Sequence, residues 1–157
     1  MSDWADVKKV PASELKEMVG RSFVSRWLMV DQVRIDGFAR VTEDEQFIHV
    51  DRERASATAF RGTVAHGFLT LSLLSAMAYS ALPRIEGAAH GVNYGFDRVR
   101  FLHPVPSGSR VRAHFTLKSV TPRSAREWQL SYEVSVEIEG VRKPGLAATW
   151  LTMQVMA

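Results

Sequence analysis

Residues 67–83 read GFLTLSLLSAMAYSALP. From Gly67 to Leu82, apolar side chains fall on nearly every face of a helical wheel, and Pro83 closes the run by withholding a backbone donor. A helix of that composition is expected to be buried. It would span about 24 Å at about 1.5 Å per residue, the depth of a small domain. The run is too short to cross a bilayer and carries Thr70, Ser72, Ser75 and Ser80, so no membrane partner is expected.

What could cover such a helix follows it. The segments GVNYGFDRVRFLHPV (91–105), SRVRAHFTLKSV (109–120), REWQLSYEVSVEI (126–138) and GLAATWLTMQV (145–155) are separated by PSGS, TPRS and EGVRKPG, which are turn chemistries. Trp128, Leu130, Tyr132, Val134, Val136 and Ile138 alternate with polar neighbours, as do Val111, Ala113, Phe115 and Leu117, a period of two that means half-buried strands. Four strands in succession predict an antiparallel meander whose apolar face is covered by the helix. Pattern alone supports an α+β fold with a helix packed on a sheet.

Upstream, ASELKEMVG (12–20) predicts a short helix and FVSRWLMV (23–30) an extended piece. Asp31 is a plausible N-cap for a helix placing Ile35, Phe38, Ala39 and Thr42 on one face, weakened at Gly37 by up to about 1 kcal/mol relative to Ala. Residues 45–64 have mixed periodicity, as turns or a broken helix would.

At 157 residues the chain fits one domain, 1–157. With 46% hydrophobic and 24% charged residues it has the balance of a globular protein. The absence of cysteine excludes disulfides, thiolate nucleophiles and cysteine-based metal sites. The first residues lack a basic stretch followed by an apolar one, so a secretory leader is not expected and the cytoplasm is the default location. The net charge of +3 comes from scattered arginines without a nucleic-acid-binding signature, and equally suits a phosphate-bearing small molecule.

The chemistry concentrates in FARVTEDEQFIHVDRERA (38–55), where Asp44 and His49 stand five residues apart where a helix gives way to an irregular connection. A second histidine, His66, follows in VAHG just before the apolar helix. Acid and imidazole on a tight connection point to proton transfer on a small organic substrate. Taken alone, Asp44 capping a turn and His49 bonding a neighbouring backbone would be the plainer account. No other device competes. GAAHGVNYG lacks the dinucleotide and P-loop patterns, no G-x-S-x-G elbow occurs, and His90, His103 and His114 are not spaced as metal ligands, so no metal is expected.

The same segment resembles the signature of the MaoC-like dehydratases, or R-specific enoyl-CoA hydratases of the hydratase 2 type. Asp44, Ile48, His49 and Ala55 match in spacing, and the resemblance continues through VAHGFLTLSLLS (64–75) and NYGFDRVRFLHPVPSGSRVR (93–112). Glu43, Gln46 and Phe47 depart from the usual Gly, Asn and Pro, which is similar to the branch related to the nodulation protein NodN. The resemblance implies the hotdog fold, a long buried central helix wrapped by a curved antiparallel sheet, and a homodimer. It also implies that Asp44 and His49 hold the water added across a trans-2-enoyl thioester, giving a 3R-hydroxyacyl product.

The enolate-like thioester oxygen needs a donor, and the N–H of Gly67 at the helix start is the candidate, since a missing Cβ admits a close approach. His66 caps the helix or lines the pocket. Ser75 either touches substrate or bonds its own helix, Asn93 is a pocket polar group, Tyr94 packs, and Arg98 and Arg100 are solvated strand residues, with coenzyme A phosphates as their alternative contact. Coenzyme A enters as the substrate's handle, no cofactor is expected, and the setting is fatty acid metabolism. Two rival functions stay open: a non-catalytic acyl-CoA-binding protein, kept alive by the three departures, and an acyl-CoA thioesterase, opposed by the lack of any acid in the helix before Pro83.

Overall fold

A computed structural model describes residues 7–157; residues 1–6, on which part of the leader reading falls, lie outside the described residues. Lys9–Val10 (β1) pairs in parallel with Arg84–Ile85 (β4). The expected short helix is instead two 3-10 turns, Ala12–Glu14 and Lys16–Met18. So short a segment nucleates an α-helix poorly, and burial of Leu15 and Met18 sets its conformation. Ser22–Val24 (β2) and Leu28–Val30 (β3) both pair antiparallel with Ser109–Pro122 (β6).

Asp31 does cap the next helix: its carboxylate accepts from the Arg34 N–H at 2.9 Å and opens Gln32–Thr42 (α1). This helix buries Ile35 and Ala39 and ends at Glu43 in the left-handed region, φ 61°. The broken helix expected over 45–64 consists of Phe47–Val50 (α2) and Arg52–Ser56 (α3), the second capped by Asp51.

The apolar run forms Gly67–Ser72 (α4) and Leu74–Ala81 (α5). The Leu73 N–H reaches the carbonyls of both Leu69 and Leu71, a tightened step between two helical segments that share one line of residues. Burial differs from the all-round expectation. Leu69, Thr70, Leu73, Leu74, Met77 and Ala78 are buried, whereas Phe68, Ser72, Ala76 and Tyr79 are exposed. One face meets the sheet, and the other is exposed among the described residues.

Ala88–Phe101 (β5), β6, Glu127–Ile138 (β7) and Val141–Met156 (β8) make the sheet, in the order β2–β6–β7–β8–β5. The simple meander is therefore corrected: β6, β7 and β8 are consecutive neighbours, but β5 lies at the far edge beside β8. The reason is the connection 102–108. It crosses the end of the sheet instead of turning back, with the Leu102 N–H on the Gly145 carbonyl, Ala65 on Val105 and Gly108 on Val30. Pro144, expected in a turn, lies within β8 where the pairing with β7 is irregular, a place that tolerates a missing donor.

The inner face of β6 carries Val111, Ala113, Phe115 and Leu117, all buried, and Phe115, Tyr132 and Trp150 meet edge-on or tilted beneath the helix. Among the described residues no helix is long and apolar enough to cross a membrane.

Candidate active site

The connection from the end of α1 through α2 to the start of α4 folds back on itself. The Asp44 carboxylate and one ring nitrogen each of His49 and His66 lie within 4.8 Å of one another. Asp44 is exposed and both histidines are buried. The two imidazoles stack, with centroids 3.8 Å apart and planes at 26°, and Phe38 of α1 tilts against His66 at 4.9 Å.

Each imidazole is tied to a carbonyl, and this decides where its hydrogen sits. His49 Nδ1 lies 2.7 Å from the Val64 carbonyl and His66 Nε2 lies 2.8 Å from the backbone carbonyl of Asp44. A carbonyl only accepts, so in each neutral ring the bonded nitrogen carries the hydrogen. His49 is left with a bare Nε2 lone pair, and His66 with a bare Nδ1, buried and without a partner among the described residues. Burial is the main cause holding the His49 pKa below its ordinary value, and the nearby His66 adds to it, against opposing effects of the Val64 hydrogen bond and Asp44. His49 is therefore held as a neutral base at neutral pH.

Gln32 at the start of α1 fastens this arrangement. Its amide N–H groups donate to the His49 carbonyl and to Asp36 Oδ1, both at 2.7 Å, while its oxygen accepts from Thr63 Oγ1 at 2.6 Å. The Val64 N–H donates in turn to the Ile48 carbonyl at 3.1 Å. The sequence reading missed Gln32, a polar residue on a helix with no local signal of its role. The departures also find their places. Glu43 takes the left-handed turn that favours glycine. Phe47 occupies the first position of α2, where proline is favoured, and stacks under the Arg54 guanidinium at 4.3 Å.

The remaining candidates separate. His66 stands at the N-cap position of α4 but makes no side-chain cap bond, so of the two roles expected for it the capping one is corrected. Gly67 follows it; a Cβ there would meet the Phe101 ring at 2.9 Å, so Phe101, not open space, occupies the side where a close approach was expected. Phe101 also packs edge-on against Phe68, 5.6 Å between centroids, and lines a cavity of about 180 Å³ with Gly67, Thr70 and His103. Ser75 and Asn93 lie farther along, joined by a 3.2 Å bond from Asn93 Nδ2 to Ser75 Oγ, on a second cavity of about 410 Å³ that does not touch Asp44, His49 or His66. Tyr94 is exposed and does not pack as expected; Arg98 and Arg100 are exposed, as expected.

Asp44, His49 and His66 also form the one group of acidic and imidazole side chains among the described residues spaced to hold a metal ion. His66 Nε2 is committed to a carbonyl, so its buried, unpartnered Nδ1 is the nitrogen left to ligate.

A helix laid on this antiparallel sheet is the hotdog architecture of solved dehydratases. A MaoC-like dehydratase from Rhodospirillum rubrum superposes with a TM-score of 0.73 at 22% identity, covering 88% of this chain and 93% of that one. The (R)-hydratase from A. caviae involved in PHA biosynthesis superposes at 0.68 and 22%, covering 85% and 94%. Likeness at that identity shows the fold alone. The sequence goes further: residues 14–138 match the MaoC like domain, and the chain belongs to that family. It is 54% identical over 130 residues to nodulation protein N of Rhizobium leguminosarum bv. viciae, covering 82% of this chain and 81% of that protein. It is 41% identical over 137 residues to 3-hydroxyacyl-thioester dehydratase Z of Mycobacterium tuberculosis, covering 87% and 88%.

Proposed function

We propose that the protein is an R-specific enoyl-CoA hydratase, and in reverse a 3-hydroxyacyl-CoA dehydratase, acting in the cytoplasm on fatty acyl thioesters. The observation that carries this reading is a neutral His49 whose Nε2 keeps its lone pair, with a ring nitrogen of His49 within 4.8 Å of the Asp44 carboxylate. A water held between them loses a proton to His49 while Asp44 orients it. Its oxygen bonds to C3 of the trans-2-enoyl thioester, the double-bond electrons pass toward the thioester oxygen, and C2 then takes up a proton, so one water is added in balance. The Gly67 N–H at the start of α4 is the donor assigned to the transient enolate oxygen. Addition and removal of water are redox-neutral, so the chemistry calls for no cofactor, and coenzyme A is part of the substrate. The dehydratase activity in the name of the 41% identical relative supports the same class of reaction.

The test follows the loss of enoyl-thioester absorbance with crotonyl-CoA and a medium-chain trans-2-enoyl-CoA. Turnover is expected with at least one, falling by about 10²–10⁴-fold in Asp44→Asn with the fold intact. A variant as active as the parent protein would remove Asp44 from the chemistry, and no turnover with any acyl length would favour the binding-protein reading.

The working unit we propose is a homodimer. β5 runs for 14 residues at the sheet edge, paired with β8 on one side only, and exposes Val92, Tyr94 and Phe101. Such an edge invites another strand, and a second copy of β5 would meet it under two-fold symmetry. Light scattering at micromolar concentration should report twice the chain mass, and a stable monomer would refute the dimer.

A further inference from the structure

The cavity of about 410 Å³ lies beside α5 and lacks the composition of a plain hydrocarbon pocket. Leu15, Met18, Leu82 and Leu117 give it an apolar wall, as an acyl chain requires. Across from them β8 contributes Trp150, Thr152 and Gln154, three alternate residues on one face of a strand. Trp150 is 3% exposed and Thr152 6%, and neither Trp150 Nε1 nor Thr152 Oγ1 has a hydrogen-bond partner among the described residues. Asn93, the cross-strand neighbour of Thr152, carries further polarity on the same wall and is joined to Ser75 of α5. Buried donors without partners are costly and rare, and phenylalanine and valine would fill the two places without that cost.

We propose that this cavity receives the substrate's acyl group, and that the group carries an oxygen function, a hydroxyl or carbonyl, level with Trp150 and Thr152. The inference rests on the thioester reading above and names the substrate class within it. Ser75 is eight residues beyond Gly67, about 12 Å along the helix line, so a thioester seated at Gly67 reaches these groups only through a chain of medium length. A hydroxyl there accepts from Trp150 Nε1–H and exchanges a hydrogen bond with Thr152 Oγ1. An unsubstituted chain leaves both without partners, and a site built to bond a hydroxyl discriminates against the analogue lacking it.

Calorimetric binding of saturated ten-carbon acyl-CoA thioesters tests this without any turnover. Decanoyl-CoA is compared with a set bearing one hydroxyl at successive positions from mid-chain to the ω carbon. At least one hydroxylated thioester is expected to bind about ten-fold more tightly than decanoyl-CoA. Thr152→Val and Trp150→Phe should each remove most of that preference, read within each variant as the ratio of hydroxylated to unsubstituted thioester affinity. No preference at any position, or one that survives in both variants, overturns the proposal. Turnover of trans-2-decenoyl-CoA is measured in parallel. Preference without turnover breaks the hydratase reading and keeps the oxygen-bearing ligand; turnover without preference breaks only the inference made here.

Discussion

The sheet from β6 to β8 and the connection from Glu43 to His66 are built by opposite rules. In the sheet the backbone satisfies itself through the ladders, and side chains are left to pack inward or to pair outward, as Arg112 does with Glu137 at 2.7 Å and Lys118 with Glu133 at 3.7 Å. Such surface pairs, one half-buried and one exposed, contribute little to stability, and the inner face carries it. In the connection the helices are four and five residues long, too short to hold themselves. Side chains do the binding there: Asp51 on the Arg54 N–H, Gln32 on the His49 carbonyl, His49 on the Val64 carbonyl, His66 on the Asp44 carbonyl. Two non-glycine residues, Glu43 and Arg61, accept left-handed backbone. The difference teaches where chemistry is housed. Imidazoles recruited to satisfy backbone carbonyls are locked in one tautomer and one orientation, which proton transfer needs and a sheet ladder would not supply.

If stability and chemistry are divided in this way, they should fail separately. Phe115→Ala empties the middle of the sheet, where the side chain is fully buried between Tyr132 and Trp150. It should cost about 3–5 kcal/mol in urea unfolding while turnover per folded molecule stays near that of the parent protein. A loss of turnover in step with stability would join the two regions and break the comparison.

The pH response sharpens it on the other side. Burial lowers the His49 pKa, so the acid limb of kcat/KM should fall below pH ~6.5, the ordinary histidine value. The same shift affects stability with a definite sign. Between the lowered folded value and about 6.5, the unfolded chain binds a proton that the folded chain refuses, so folding weakens as pH falls through that window; above it the term vanishes. His49→Gln should flatten this part of the stability–pH curve, measured by denaturation at several pH values. An unchanged slope would mean that His49 titrates like a free histidine.

Legibility followed the same division. The inner residues of β6 and β7 could be read because burial on one face imposes a period of two, and α1 because Asp31 precedes an apolar stripe at helical spacing. The place of β5 could not, since strand order depends on 102–108 crossing the sheet end, a matter of long-range bonds that no local pattern encodes. Asp44 and His49 were singled out by their spacing within a known signature. The stacking of His49 on His66, seventeen residues away in the chain, and the three bonds of Gln32 exist only once the connection has folded. Trp150 read as one more strand residue because periodicity reports which way a side chain faces, not whether its N–H finds a partner.

The smallest expected effect bears on the strain within the connection. Glu43 closes α1 at φ 61° and ψ 17°, where a side chain costs about 1–2 kcal/mol and glycine almost nothing. Glycine loses more freedom on folding, which offsets up to about 1 kcal/mol of that relief. Glu43→Gly should therefore stabilise the protein by about 0.5–1 kcal/mol, read as a shift of the denaturation midpoint with an unchanged slope. Activity should hold within about two-fold, because both residues adopt the same turn and Asp44 is then delivered to His49 by the same backbone path. Stabilisation accompanied by lost turnover would mean that the strained turn is what presses the carboxylate toward the imidazole. Destabilisation would mean that the Glu43 side chain holds the turn itself, and the connection would then owe its shape to one more side chain than the four already counted.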